Sequence, residues 1–173
     1  MGHKKSSKKD SKGAGKRAGK IVYVDMDGVL VHFESAFASV PDETLAEYAG
    51  REDEIPGIYG LMEPMPGAVE SFRELAERFD AYILSTAPWK NPSAWSDKLQ
   101  WVQRYFGAER GDPAYKRLIL SHHKDLNRGD FLIDNRVKRG ARRFKGEFIQ
   151  FGAKEYPDWP AVMRRMRKVD PKE

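Results

Sequence analysis

Apolar residues fall along the chain in five short runs, at about residues 20–25, 80–85, 117–121, 130–134 and 147–151. Each run is rich in β-branched or aromatic side chains, as strands buried on both faces of a parallel sheet are. Between them the apolar spacing changes to that of helices. Val69, Phe72, Ala76 and Phe79 align after Pro66. Trp95, Leu99, Val102 and Phe106 align from about Ser93, with Gly107 as the expected C-terminal cap. Trp159, Val162, Met166 and Val169 align from Asp158. Core packing is the expected role of these Trp and Met side chains. Strands alternating with helices predict an α/β fold built on a mostly parallel sheet flanked by helices.

Two stretches depart from that rhythm. Residues 31–66 are too long for a plain loop and contain Phe33, Phe37, Tyr48, Ile58 and Tyr59. They read as a small cap inserted after the first strand, within a single domain spanning residues 20–173. Residues 1–19 carry no large apolar side chain beyond Met1 and cannot offset the entropy of ordering, which predicts a disordered basic tail. Residues 1–20 hold eight Lys and Arg against Asp10, yet the whole chain is only +5, so residues 21–173 are net acidic by two. The basicity therefore belongs to the tail and not to the domain. Three roles stay open for it: a solvated tail or expression remnant, electrostatic contact with nucleic acid, or a lipid-anchored start at Met1-Gly2-His3-Lys4-Lys5-Ser6.

The chain has no cysteine, which excludes disulfides, thiolate metal sites and a cysteine nucleophile. That suits a reducing compartment, and the cytoplasm is the expected location. No apolar run approaches the roughly 18 residues of a membrane span.

The strand ends carry the chemistry. Ile21 to Val24 run directly into Asp25-Met26-Asp27-Gly28-Val29. Two carboxylates at i, i+2 after a buried strand repel each other and resist desolvation, unless a cation or a reaction needs them. The second strand ends in Ser85-Thr86, Lys124 follows the third, and the fourth ends in Asp134-Asn135-Arg136. In a parallel sheet these ends share one edge, where open α/β sheets bind ligands. Carboxylates, hydroxyls and a lysine together suit Mg²⁺ and a phosphoryl group. Taken singly, Ser85-Thr86 could cap a turn, Lys124 could be a solvated lysine, Asp134 a helix cap, and Asp25/Asp27 a turn. As an ordered set they are far more specific.

Asp25-Met26-Asp27-Gly28-Val29, Thr86, Lys124 and Asp134 resemble the four ordered motifs of haloacid dehalogenase superfamily phosphatases. Met62-Glu63-Pro64-Met65-Pro66-Gly67, Ser85-Thr86-Ala87-Pro88 and Gly129-Asp130-Phe131-Leu132-Ile133-Asp134 resemble the 5′(3′)-deoxyribonucleotidase family. The resemblance covers about residues 20–170. It implies a Rossmann-like fold and Mg²⁺-dependent hydrolysis of (deoxy)ribonucleoside 5′-monophosphates. Asp25 is the implied nucleophile, forming an aspartyl-phosphate. Asp27 is the implied general acid and base. Lys124 and Thr86 are implied to hold charge and oxygen on the phosphoryl group, with Ser85 and Ala87 beside Thr86 as further substrate contacts. Asp25, Asp134 and the main-chain carbonyl of Asp27 are the implied metal ligands. Phe33 and Tyr59 match aromatic residues that sandwich the base in the family.

Three departures stand against the family pattern. Asn135 replaces a second Asp, the cap is short, and Ser121-His122-His123-Lys124 has histidine where vertebrate relatives carry arginine near the sugar. Adjacent residues rarely share one metal, so His122 and His123 are not read as a metal pair. Two other readings remain open. One is a phosphatase of the same fold acting on another small phosphate ester or a nucleic acid terminus. The other is a non-catalytic nucleotide-binding protein. Oligomeric state is not legible.

Overall fold

The computed structural model describes residues 19–172. The expected tail lies outside these residues, but for Gly19. Five parallel strands form the central sheet: β1 (Ile21–Val24), β4 (Asp80–Ser85), β5 (Leu118–Leu120), β6 (Phe131–Asp134) and β7 (Glu147–Gln150). Their order is β5-β4-β1-β6-β7. β1 pairs with β4 from Ile21 opposite Asp80, and with β6 from Val22 opposite Phe131. The strand order reverses at β1, so the ligand-binding crevice of such sheets falls between the C-terminal ends of β1 and β6. All five strands match the sequence expectation to within a residue or so at each end.

Residues 31–64 hold the antiparallel pair β2 (Val31–His32) and β3 (Glu63–Pro64). Between these lie a seven-residue 3₁₀ helix (Phe33–Ser39), a short helix α1 (Asp42–Glu47) and two single turns of 3₁₀ helix. Two indoles tie this region down. Trp101 Nε1 donates to the Met62 carbonyl at 2.8 Å, and Trp159 Nε1 to the Val29 carbonyl at 2.9 Å, both buried. The buried side chain of Asn91 donates to the carbonyls of Asp53 and Ile55 at 3.0 and 2.9 Å. Backbone carbonyls that form no regular ladder thus find partners, without which their burial would cost 1–3 kcal/mol each, to order of magnitude (~).

Three helices, α2 (Ala68–Arg78), α3 (Ser93–Phe106) and α4 (Trp159–Met166), pack on one face of the sheet. Asp158 caps α4 by accepting from the Ala161 N–H at 2.9 Å. Val22, Val24, Ile83, Phe131, Ile133 and Ile149 meet these helices in the main core. The opposite face carries a smaller cluster of Tyr23, Leu84, Leu132, Ala141 and Phe144. Only short connections cover it.

The expected α4 stripe is buried in full: Trp159, Val162, Met166 and Val169 all sit in the core. For α3 the expectation needs correction. Its buried residues are Ala94, Lys98, Trp101, Val102 and Phe106, whereas Trp95 and Leu99 are 44% and 46% exposed. Val102 and Phe106 are buried as expected, and the buried face is centred less than one residue's turn of about 100° away, toward Ala94, Lys98 and Trp101. Two apolar stripes compete in this sequence. The Trp101 indole, with its carbonyl partner, and a charge partner for Lys98 favour the observed one.

Truncating Phe72, fully buried with its ring 4.8 Å from that of Phe106, should cost about 3–5 kcal/mol as Phe72→Ala. Leu99→Ala should cost less than about 1 kcal/mol. Urea unfolding midpoints of the two variants check both values; an equal loss would restore the inward orientation of Leu99.

Candidate functional site

A cavity of about 340 Å³ opens at the C-terminal edge of the sheet, lined among others by Asp25, Asp27, Thr86, Lys124 and Asp134. Its size lies at the lower end of small-molecule pockets. Asp25 continues β1, its N–H donating to the Ile133 carbonyl at 2.8 Å. Asp134 is the last residue of β6. The two side chains meet at one atom: Lys124 Nζ lies 2.8 Å from Asp25 Oδ1 and 2.6 Å from Asp134 Oδ2. All three residues are buried. Lys124 is therefore not a solvated lysine. Its own N–H donates to the Arg139 carbonyl at 3.0 Å, which fixes the start of its short helix.

Asp27 leaves β1 through a tight turn in which the N–H groups of Val29, Leu30 and Val31 converge on the Met26 carbonyl. Gly28 sits there with φ +72°, and a Cβ on it would fall 2.2 Å from Asn135 Nδ2. Glycine is needed both for the backbone conformation and for the approach of Asn135. The Asn135 Oδ1 is buried without a partner.

The residue that sequence reading missed is Lys98. It is fully buried, and its Nζ lies 2.6 Å from Asp27 Oδ1 and 3.0 Å from Ser85 Oγ. The same nitrogen lies 4.3 Å from the centre of the Tyr59 ring, a cation–π contact. A lysine at an inward position of a helix was the available signal. The competing Trp95-Leu99 stripe hid it.

Other expected site residues are placed as follows. Thr86 lines the cavity, and its hydroxyl donates to the Ser121 carbonyl at 2.8 Å. Ser85 and Ala87 are fully buried and lie off the cavity lining, Ser85 serving as the acceptor for Lys98. Phe33 and Tyr59 both line the cavity, but their rings pack against each other at 5.9 Å and 70°. The contact is edge to face and leaves no slot between the two rings as they stand. Tyr59 is buried, and Phe33 keeps the more accessible face. His122 packs edge-on to Trp89 at 5.8 Å, and its Nε2 is buried without a partner. Pro88, Glu52, Asp53, Arg136, Lys138 and Arg139 complete the lining.

The charges in this cluster do not cancel. Asp25, Asp27 and Asp134 face Lys98 and Lys124, three carboxylates against two amines. Burial pushes Asp134 up to about 6, with the Asp25 charge adding and Lys124 opposing. Burial also lifts Asp27 above the usual carboxylate range, against the pull of Lys98 and with a push from Asp25. For Lys124 burial is the largest single influence and acts downward, but Asp25 and Asp134 together outweigh it and raise it. Residual negative charge on hard oxygen donors fits a divalent cation such as Mg²⁺. Among the described residues no three His, Asp or Glu side chains are arranged to hold an ion by themselves. The fit is therefore to two carboxylates supplemented by main-chain oxygen, water and substrate, as Mg²⁺ commonly takes.

The model of the family described as 5′ nucleotidase, deoxy (Pyrimidine), cytosolic type C protein matches residues 41–157. That span includes Thr86, Lys98, Lys124 and Asp134 but not Asp25 and Asp27. A provisionally named 5′(3′)-deoxyribonucleotidase of Vibrio phage KVP40 is 56% identical over 143 residues, 83% of this chain and 82% of the phage protein. A protein of Bordetella pertussis with the same provisional name is 36% identical over 159 residues, 77% of this chain and 83% of its own. The human cytosolic-type 5′(3′)-deoxyribonucleotidase is 29% identical over 171 residues, 82% of this chain and 78% of the human one. No helix among the described residues is long and apolar enough to cross a membrane.

Lys98→Met leaves the partly buried Asp27 without its partner; a fully buried pair broken this way costs about 3–5 kcal/mol, and with the Asp27 side chain 20% exposed the loss should fall below that. With its folded-state pKa raised further, Asp27 binds a proton more readily folded than unfolded. The deficit of the variant should thus be smallest at acid pH and grow as pH rises through the carboxylate range. Denaturant unfolding at pH 5 and pH 8 reads this; a deficit that shrinks with rising pH would contradict the assigned pair.

Proposed function

Since the chain belongs to the family of cytosolic type C 5′-nucleotidases, we propose that it is a Mg²⁺-dependent phosphatase hydrolysing (deoxy)ribonucleoside 5′-monophosphates. One observation carries the reading to residues. Asp25 and Asp134, on neighbouring strands, converge on Lys124 Nζ in a cavity also lined by Asp27 and Thr86.

In this reading Asp25 attacks phosphorus and the ester oxygen leaves with a proton from Asp27. Water then attacks the aspartyl-phosphate, giving its proton back to Asp27. A raised Asp27 suits that work, because the acid form must persist near neutral pH. Lys98 sets the opposite limit, since it favours the ionised form needed when Asp27 acts as base. Lys124 compensates charge on Asp25 and on the transferred oxygens. Thr86 turns its hydroxyl from the Ser121 carbonyl to a phosphoryl oxygen. Asp25, Asp134 and the Asp27 carbonyl would hold Mg²⁺, which when bound supplies charge neutralisation for the phosphoryl group. Positioning and charge compensation are what phosphoryl transfer chiefly requires. Phe33 presents an apolar face to the base, backed by Tyr59.

Phosphate release from dUMP, dTMP, dGMP and their ribose counterparts, with and without Mg²⁺, tests the reading. Nucleotides should exceed sugar phosphates by a wide margin, and chelation should stop turnover. Asp25→Asn should lower kcat by roughly a thousandfold or more with the circular dichroism unchanged. Turnover near wild type in that variant would remove Asp25 from the mechanism.

A further inference from the structure

The wall of the cavity beyond Asp134 is basic. Arg136, Lys138 and Arg139 fall within four residues and all line the cavity. No side-chain ion pair engages any of them among the described residues, although Glu52 and Asp53 line the same cavity. The neighbouring Glu54 is instead paired with Arg51 and Lys90. Both walls act on the Tyr59 hydroxyl, which burial raises first, Asp27 and Asp53 push further and Arg136 and Arg139 oppose. The basic segment is also held in place. Arg139 adopts φ +51° and Gly140 φ +87°, and the Arg139 carbonyl accepts from Lys124 N–H. Non-glycine residues rarely take such a φ. The same contact joins this segment to the amine that bridges Asp25 and Asp134.

The reacting phosphate does not account for these cations, since in the reading above Lys124 and a Mg²⁺ held by Asp25 and Asp134 would already compensate it. Arg136, Lys138 and Arg139 are all exposed and solvated in the free protein, and gathered on one wall of a cavity they offer a place for a second anion on the ligand. Arg136 follows Asp134 by two residues, so their Cα atoms are at most roughly 7 Å apart, and the cations begin within one nucleotide's reach of the reacting phosphate.

We propose that the site accepts a nucleotide bearing a second phosphate on its sugar, with Arg136, Lys138 and Arg139 as the subsite for that phosphate. The proposal rests on the nucleotidase reading above. The bond broken is unchanged: a nucleoside 3′,5′-bisphosphate and water give orthophosphate and the nucleoside 3′-phosphate, whose 5′-oxygen keeps the proton. The same second phosphate occurs in a 5′-phosphorylated single strand. There the exposed Trp89, beside the lining residue Pro88, would meet the next base.

The test compares kcat/KM for thymidine 3′,5′-bisphosphate, for a 5′-phosphorylated thymidine dinucleotide and for dTMP. The better of the two bisphosphorylated ligands should exceed dTMP by roughly tenfold at low salt, with the advantage shrinking as salt rises. Lys138→Gln, at an exposed position, should reduce that ratio several-fold. Combining it with Arg139→Asn, which tolerates the left-handed backbone, should bring the ratio near one. Trp89→Ala should lower the ratio for the dinucleotide alone. A wild-type ratio of one or less for both ligands, or a ratio that survives in the double variant, overturns the proposal. Failure of dTMP and both other ligands to release phosphate would instead sink the nucleotidase reading itself.

Discussion

Two aspartates on adjacent parallel strands are held at one point by the amine of Lys124. Without that amine, Asp25 and Asp134 would place uncompensated like charges in a buried crevice, at a cost of several kcal/mol per ion, to order of magnitude (~). The surroundings serve to keep this contact. The Arg136 N–H takes the remaining oxygen of Asp134 at 2.8 Å. The Arg139 carbonyl holds the Lys124 main chain. The N–H of Asp25 belongs to the β1–β6 ladder, so the position of this carboxylate is fixed by sheet register and not by a flexible loop.

The second compensated pair, Asp27 with Lys98, couples the site to the helical layer. Lys98 points inward on the same turn of α3 that brings Trp101 to the Met62 carbonyl. Asn91, just before α3, binds carbonyls of residues 53 and 55, and Ser93 Oγ accepts from the Gly57 N–H at 2.8 Å. The segment that carries Phe33, Glu52, Asp53 and Tyr59 is thereby pinned to the helix that carries Lys98. Its position and the protonation of Asp27 depend on the same packing.

The sheet was legible because each strand is a short apolar run closed by polar residues, and a parallel sheet allows little else. The convergence of Asp25, Asp27, Thr86, Lys124 and Asp134 was legible for the same reason, since order along the chain becomes position along one edge. The orientation of α3 was not legible. Ala94, Lys98 and Trp101 form one stripe and Trp95, Leu99, Val102 and Phe106 another, and the buried face takes the first together with Val102 and Phe106. Periodicity scores lysine as outward, and only the tertiary partner Asp27 reverses that. Phe33 and Tyr59 meet edge to face, an arrangement that residue type does not reveal. The Phe33–Tyr59 contact is settled by packing that also involves Phe37.

Parallel strands ordinarily need crossovers of a dozen or more residues, usually helical. On the second face this chain uses residues 121–130 and 135–146, each with a single 3₁₀ turn. The two connections are joined by Arg143 to Asp125 at 2.9 Å and by Lys124 N–H to Arg139. Ala141 and Phe144 cover the sheet, while Lys124, Arg136, Lys138 and Arg139 face the cavity. One pair of short loops therefore shields a hydrophobic face and supplies most of the cations of the site. A longer helical crossover would shield that face better but would carry these side chains away from the strand ends. The thin covering of Tyr23, Leu84 and Leu132 is the structural counterpart of a site with its cations so close to Asp25 and Asp134.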